Sequence, residues 1–250
     1  MTRSGGEPAF EPRRVPARLD ERHQLSERVA AYVREAIMVG DLRAPEFIRT
    51  ERLAAQLGVS ATPVREALMI LHSEGAVRWE PRRGFRVQSI SAQDVEDLFE
   101  VQAFIAGELA ARAARLLSAE DVARLRATHE ELERAYAAGD TDRTERLNHE
   151  IHRTINRAGG TGRLTSLLNL TVQYVPRNYY GRVDGWAHAS ARDHETIFVA
   201  LEAGDADAAR RAMTEHARHI GRLLVEYLHR VDAFTDDEGT DLDGAAQSVS

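Results

Sequence analysis

The sequence contains no cysteine and no lysine, and aromatic residues make up only 6% of its 250 residues. Without cysteine the protein can form neither a disulfide nor a thiolate metal site, so any metal would need His, Asp, Glu or amide ligands. No apolar run reaches membrane-spanning length, and residues 1–20 lack the apolar segment of a secretory signal. We therefore expect a soluble cytoplasmic protein with no membrane partner.

Charge divides unevenly between the two parts of the chain. Residues 1–90 carry 15 Arg and 12 acidic residues, a net charge of +3. Residues 91–250 carry 18 Arg and 28 acidic residues, a net charge of −10. The length allows two modest domains, and only the first has the charge of a surface that meets nucleic acid.

Residues 58–75 read GVSATPVREALMILHSEG and have the pattern of a recognition helix. Ser60 or Thr62 can cap the helix start, and Pro63 suits the first turn because its missing N–H is not needed there. Thr62 and Arg65 point away from the apolar stripe, as insertion into a DNA major groove requires. The stripe repeats at i, i+3, i+4 and i+7 and consists of Val64, Ala67, Leu68 and Leu71.

The flanking segments complete a winged helix-turn-helix. Residues 51–57 predict a short second helix, and Gly58 begins the turn. At the tip of a two-stranded hairpin predicted over residues 76–88, Gly84 permits a tight turn while Arg82 and Arg83 can reach phosphates or the minor groove. The buried face of this hairpin is expected to hold Val77, Trp79, Phe85 and Val87. The stripe of the first helix comprises Leu25, Val29, Tyr32, Val33, Ala36 and Ile37.

The rest of the chain reads as a succession of helices. Ser91 with Asp94, and Ser118 with Asp121, have the spacing of capping boxes. Six helices are predicted over residues 91–117, 118–139, 141–158, 163–180, 190–203 and 205–230. The predicted fold class is therefore mostly α. Its parts are a disordered tail (1–20), a winged helix-turn-helix (21–88), a linker (89–91), an all-helical bundle of about six helices (92–231) and an acidic disordered tail (232–250).

Residues 56–75 closely resemble the DNA-binding head of the GntR family of bacterial transcription regulators. With an all-helical domain behind that head, residues 22–230 resemble the FadR-like branch of the family, whose effector domain is called FCD. The resemblance implies a homodimer, joined through the C-terminal domains, on a pseudo-palindromic operator of double-stranded DNA in the bacterial nucleoid. It also implies a repressor that a small organic acid releases from DNA.

The resemblance assigns DNA contacts residue by residue. Ala61 stands where relatives often carry an Arg that reads a guanine, so one contact worth about 1–3 kcal/mol of discrimination is missing. Glu51 holds the usual Arg position of the second helix, and the neighbouring arginines are offset from it. We therefore expect an operator that differs from the best-known family consensus. The expected DNA-contacting residues are Thr62, Pro63, Arg65, Arg82, Arg83, Gly84, Arg49 and Arg52.

Three histidines match the positions at which metal-binding FCD domains place theirs: His152, His194 and His216. Asn148 lies one helical turn before His152, so both side chains face the same way. The family usually has Asp at that position, and an amide oxygen is a weaker ligand than a carboxylate. The set suits Zn, Ni, Fe or Mn with open positions for a ligand.

The same resemblance suggests where an effector would bind. Many relatives carry an Arg on the first bundle helix that could pair with an effector carboxylate, and Gln102 occupies that position here. Arg177 is the candidate substitute. Gln102 and Arg177 are thus the expected effector-binding residues.

Two other functions remain open from the sequence. A metal-dependent enzyme could use three histidines to polarise a carboxylate or activate water, but no general base stands beside them and an enzyme needs no winged helix. An architectural DNA binder would use the bundle only to dimerise, and ligands would not change its melting temperature. We favour the regulator.

Overall fold

The computed structural model describes residues 17–38, 40–172, 174 and 186–234. Within these residues the N-terminal head contains α1 (Ala17–Met38), β1 (Phe47–Ile48), α2 (Thr50–Leu57), α3 (Ala61–Ser73), β2 (Val77–Glu80) and β3 (Gly84–Val87). The bundle contains α4 (Ala92–Ala113), α5 (Ala119–Ala137), α6 (Thr141–Gly159), α7 (Arg163–Val172), α8 (Trp186–Glu202) and α9 (Ala206–Arg230). The predicted fold class is confirmed. None of the described helices is long and apolar enough to span a bilayer.

The head forms around the predicted face of α3. Val64, Ala67, Leu68 and Leu71 are fully buried against α1 and the sheet. The turn before α3 begins at Gly58, whose φ of 66° is the left-handed conformation that glycine adopts without steric cost. The wing has three strands in the order β1-β3-β2, rather than the two predicted, because Ile48 pairs with Phe85 along the free edge of the hairpin.

Two aromatic side chains of the head are exposed, contrary to the prediction. Tyr32 is 55% exposed because, at about 100° per residue, it stands at one margin of the α1 stripe. Trp79 is 53% exposed although it pairs with the buried Phe85. Of the residues in β2, only Val77 belongs to the head core, so the hairpin extends past that core before it reaches Trp79.

Several element boundaries differ from the prediction. Helix α1 begins at Ala17, inside the expected tail, because its first residues are mostly good helix formers. Helix α8 begins at Trp186, so Ser190, where the predicted helix begins, lies inside the observed one. The described part of α7 ends at Val172. Ala233, expected in the acidic tail, is buried after α9.

Helices α4 and α9 pack closely and form the centre of the bundle. Both predicted capping boxes are present: Asp94 N–H donates to Ser91 Oγ at the start of α4, and Asp121 N–H donates to Ser118 Oγ at the start of α5. A Cβ on Gly107 would overlap Thr214 of α9 and lie 3.1 Å from the Arg210 carbonyl oxygen. Glycine therefore sets the distance between the two helices.

A third apolar cluster joins the head to the bundle. Met38, at the end of α1, packs in one buried group with bundle residues that include Phe99, Trp186 and Leu224. Ala233 completes this group where the chain folds back after α9. The head is therefore attached to the bundle through apolar contacts with α4, α8 and α9.

The close approach at Gly107 predicts a loss of stability when a methyl group is added. Gly107→Ala should lower the free energy of unfolding by about 1–3 kcal/mol, because α4 and α9 must move apart to admit the Cβ. Gly162→Ala is the matched control, since a Cβ there meets nothing within 4 Å. Urea denaturation would measure both variants. A Gly107→Ala protein as stable as the control would contradict the packing.

Candidate functional site

Three histidine side chains from three helices converge inside the bundle. Nε2 of His152 on α6 lies 3.3 Å from Nε2 of His194 on α8 and 3.2 Å from Nε2 of His216 on α9. His194 and His216 are buried, with 1% and 4% of their surfaces exposed. All three predicted histidines are thus brought together, with one potential ligand atom each inside a sphere of metal-site size.

Asp193 orients His216 from the outside of the cluster. Its Oδ2 accepts hydrogen bonds from Nδ1 of His216 at 3.2 Å and from Nδ1 of His219 at 2.9 Å. A carboxylate on the outer nitrogen fixes the tautomer and leaves the Nε2 lone pair of His216 directed inward, as in most metal sites built from histidine. Sequence reasoning missed Asp193, although its position next to His194 was a usable signal.

His129 and Ser190 support His194. The Nδ1 atoms of His194 and His129 are 3.3 Å apart, so one ring donates to the other. Ser190 Oγ lies 3.4 Å from Nε2 of His194, one turn earlier on α8. His129 belongs to α5 and no motif surrounds it in the sequence, so this contact could only come from the folded chain.

Burial disfavours the charged form of two histidines in the cluster. Removal from water holds the pKa of both His152 and His194 well below the usual value for imidazole, and the neighbouring histidines lower it further. Burial likewise lowers the pKa of His129. Burial opposes ionisation of Asp193, yet the hydrogen bonds from His216 and His219 hold the pKa of this carboxyl below its ordinary value. A metal requires the neutral form of a histidine ligand, and burial favours that form at His152 and His194.

The donor set fits a divalent metal ion. An ion about 2.1 Å from two nitrogens that are 3.2–3.3 Å apart would subtend roughly 100° between them, which lies between octahedral and tetrahedral geometry. Asn148 is buried, and its Oδ1 has no hydrogen-bond partner in the described part of the protein. An unpaired buried carbonyl costs free energy, and a cation would relieve that cost. The residues that would hold the ion are His152, His194, His216 and Asn148.

A cavity of about 100 Å³ adjoins the histidines. Its polar lining includes Asn148, His152 and His216, and the remaining residues are mostly apolar. Gln102 also lines the cavity, but its amide nitrogen donates to the carbonyl of Thr171 at 3.2 Å and so ties α4 to α7. Arg177, the other expected effector-binding residue, lies outside the described residues.

The predicted DNA-reading residues of the helix-turn-helix divide into exposed and buried ones. Thr62, Arg65, Arg49 and Arg52 are exposed. Arg65 lies 3.9 Å from Glu51, an exposed ion pair that contributes little and that a phosphate or a guanine can replace. Pro63 is buried, so it shapes the helix start and presents no surface to a groove.

The wing presents further arginines at its tip. Arg83 stacks over the ring of Phe47, with its guanidinium carbon 4.4 Å from the ring centroid, and pairs with Glu80 at 3.3 Å. Arg82 is exposed in the left-handed conformation with φ of 65°, beside Gly84 at φ of 106°. The hairpin thus holds Arg82 and Arg83 at an exposed tip, where they can meet a DNA backbone.

Protein-family comparisons match both parts of the chain. Residues 25–87 match the model for bacterial regulatory proteins of the gntR family, and residues 97–219 match the model for the FCD domain. The chain belongs to the GntR family. Its head and its FCD domain coincide with the two parts predicted from the sequence, so the suspected resemblance is confirmed. The protein is accordingly a transcription regulator and not an enzyme.

Individual relatives agree with this membership. An uncharacterized HTH-type transcriptional regulator of Bacillus subtilis, YdhC, is 29% identical over 196 residues, 75% of this chain and 85% of its own. A probable D-xylose utilization operon transcriptional repressor of Paenarthrobacter nicotinovorans is 28% identical over 193 residues, again 75% and 85%. The solved structure of E. coli McbR/YncC shares the fold, with a TM-score of 0.63 at 24% identity over 81% of this chain and 97% of that one.

Because Asp193 orients His216, we expect a substitution of Asp193 to weaken metal binding. Asp193→Asn should weaken zinc binding by about 10- to 100-fold, because a neutral amide orients and polarises the imidazole less than a carboxylate does. Glu195→Gln is the matched control, since Glu195 lies two residues away on α8 and pairs with Arg126 instead. Competition against a chromogenic chelator would measure both. Equal affinities in the two variants would rule out the assigned role of Asp193.

Proposed function

We propose that this GntR-family protein is a repressor whose operator affinity changes when a small organic acid binds at a metal ion in the histidine pocket. The convergence of three histidine Nε2 atoms beside the unpaired Oδ1 of Asn148 carries this proposal. A divalent ion held there, such as Zn, Ni, Mn or Fe, would supply a positive centre for a carboxylate. The amide of Asn148 leaves that centre one charge more positive than the usual Asp would, which favours an anionic ligand.

The proposed active species is a homodimer in the bacterial cytoplasm, bound at the nucleoid to a pseudo-palindromic operator. Two copies joined through their bundles would present two heads, and each head would place α3 in a major groove. The net charge of +3 on residues 1–90 supports this arrangement, because counterion release from DNA needs a positive surface. The exposed side chains of Thr62 and Arg65 would read bases, whereas Arg82 and Arg83 would contact the backbone.

A physical connection runs from the pocket to the head at the end of α7. Val172 lines the cavity beside the histidines, and Tyr174 follows it two residues later. The ring of Tyr174 faces the guanidinium of Arg34 on α1, 5.4 Å from its centroid. Burial raises the pKa of Tyr174, and the carboxylate of Glu74 raises it further. Tyr174 therefore bridges the FCD domain and the head.

Arg34 carries this connection to the recognition helix. It is 4% exposed and donates from Nη2 and Nε to the carboxylate of Glu74, at 2.8 and 3.1 Å. Glu74 is the C-cap residue of α3. A ligand that changes the position of α7 would thus act on a buried ion pair at the end of the recognition helix. DNA affinity would change by the difference in ligand affinity between the two states of the protein.

Of the functions left open by the sequence, the architectural binder alone still competes with this proposal. It gives no reason to gather three imidazoles, an unpaired buried amide oxygen and a partly buried carboxylate in one place. Such an arrangement costs stability unless a ligand compensates for it. It also predicts no effect of carboxylates on the melting temperature of the protein.

Two variants test the assignment of DNA reading and ligand sensing to separate sites. Arg65→Ala should weaken binding to DNA selected by the wild-type protein from a random pool by at least about 10-fold, since a lost base contact costs about 1–3 kcal/mol. The Arg65→Ala variant should keep its metal. His152→Ala should lose the metal and keep DNA binding. Fluorescence anisotropy would measure DNA binding, and native mass spectrometry would measure metal content. Arg211→Ala is the control, because it removes the same charge at a position outside both sites. An Arg65→Ala protein that binds DNA normally would refute the role of α3.

The bridge through Tyr174 has its own test. Zinc loading should slow amide hydrogen exchange in α7 and also at the end of α3, because the pocket and the head share this contact. Tyr174→Phe should retain the protection of α7 and lose that of α3, since the phenyl ring cannot interact with Glu74 through a hydroxyl. Hydrogen exchange read by mass spectrometry would measure both segments. Undiminished protection of α3 in Tyr174→Phe would show that the signal takes another route.

A further inference from the structure

An arginine-lined groove of about 610 Å³ runs along the outside of α6 and α7. The arginines that line it are Arg143, Arg146, Arg153 and Arg157, and one acidic residue, Glu150, lies among them. The lining therefore carries a net charge of +3, although residues 91–250 together sum to −10. We call this surface the α6–α7 groove.

Three of these arginines are available to a ligand. Within the described residues no carboxylate forms an ion pair with Arg146, Arg153 or Arg157, and all three are exposed. Some other arginines of the bundle are paired, as Arg218 is with Glu100 at 2.7 Å and Arg143 is with Glu131 at 3.1 Å. Unpaired guanidinium groups spaced along one side of a helix repel each other, and a bound anion would remove that repulsion.

The groove adjoins the histidine cavity. His149, His152, Asn156, Leu168 and Val172 line both spaces. Because His152 is a proposed metal ligand, a molecule bound at the metal would lie next to the groove. Asn156 also lies between the two spaces, and its buried Oδ1 has no hydrogen-bond partner among the described residues. An acceptor left unpaired at this point indicates a ligand with a hydrogen-bond donor or a bridging water.

The volumes of the two spaces also favour a ligand that occupies both of them. The cavity at the histidines has a volume of about 100 Å³ and holds a group of only a few atoms, whereas the groove has about 610 Å³. Sites for small metabolites commonly occupy about 300–1,000 Å³. The cavity alone is too small for such a molecule, and the cavity together with the groove is large enough.

We propose that the α6–α7 groove binds a second anionic group of the effector, so that the effector is an elongated molecule with an anionic group at each end. This inference rests on the proposed function. One carboxylate would lie at the metal, and the distal carboxylate or phosphate would lie against Arg153 and Arg157. The arginines also attract the anion from solution, because positive charge that lines a cleft concentrates anions there.

The test compares three probes on one carbon chain. Hexanoate carries a single carboxylate, adipate adds a distal carboxylate, and 6-phosphonohexanoate adds a distal phosphonate that stands in for a phosphate. Isothermal titration of the full-length, zinc-loaded protein should give at least one of the two doubly anionic probes about 10-fold tighter binding than hexanoate. The better of the two identifies the distal group as carboxylate or phosphate.

Paired variants locate the effect. In Arg153→Gln/Arg157→Gln the advantage of the second anion should fall below about 2-fold, with zinc content and hexanoate affinity unchanged. Arg211→Gln, an exposed arginine of α9 outside the groove, should keep the full advantage. The proposal is wrong if the wild type binds all three probes equally or binds none of them. It is also wrong if the doubly anionic probes still bind more tightly than hexanoate in the double variant.

Failure of the proposed function would look different. If His152→Ala bound hexanoate as well as the wild type did, the metal pocket would be wrong, while the contribution of the groove would still be read from the two longer anions. If hexanoate bound only in the presence of zinc and the doubly anionic probes bound no more tightly, the proposed metal pocket would be supported and the proposed role of the groove would be wrong.

Discussion

Gly107 on α4 faces Thr214 and Arg210 on α9 at a distance that admits no Cβ. On the other side of the same contact, a Cβ on Gly221 would lie 2.7 Å from the ring of Phe99. Helix α9 is thereby fixed against α4 over several turns. That helix carries His216 to the histidine cluster, and Leu224 and its neighbours to the junction with the head. One helix contact therefore sets both the geometry of the pocket and the attachment of the DNA-binding head.

The histidine cluster combines buried imidazoles with a carboxylate on its outer side. Burial disfavours the charged forms of His152 and His194, so their lone pairs remain available. The Asp193 carboxylate faces the outer nitrogen of His216. A divalent ion in the cluster would therefore keep most of its charge, because Asn148 contributes an amide and not a second carboxylate. The site would hold its ion less firmly than one with the usual Asp and would offer it more strongly to a carboxylate.

The sequence predicted the elements whose signals are local. The apolar repeat of α3, the capping boxes at Ser91 and Ser118 and the shared helical face of Asn148 and His152 each depend on residues within one or two turns, and the structure contains all of them. The resemblance to a family supplied what periodicity could not, namely that His194 and His216 belong with His152.

What the sequence could not supply depends on contacts between distant residues. His129 approaches His194 from another helix, and β1 joins the wing from before α2. Tyr32 and Trp79 carry apolar side chains at positions with the right period, yet the core ends before it reaches them. Whether a side chain at the margin of an apolar stripe is buried depends on which residues of other elements pack against it. The periodicity of one element does not predict those contacts.

Net charge is a poor guide to what the bundle binds. A value of −10 for residues 91–250 excludes nucleic acid from most of that surface, and from this sum alone an anionic metabolite would be excluded as well. Charges more than about 8–10 Å apart are largely screened at physiological ionic strength, so the field at a site comes from its immediate lining. At the α6–α7 groove that lining is arginine. The positive lining of the α6–α7 groove is therefore compatible with the proposed anionic ligand, although residues 91–250 as a whole are acidic.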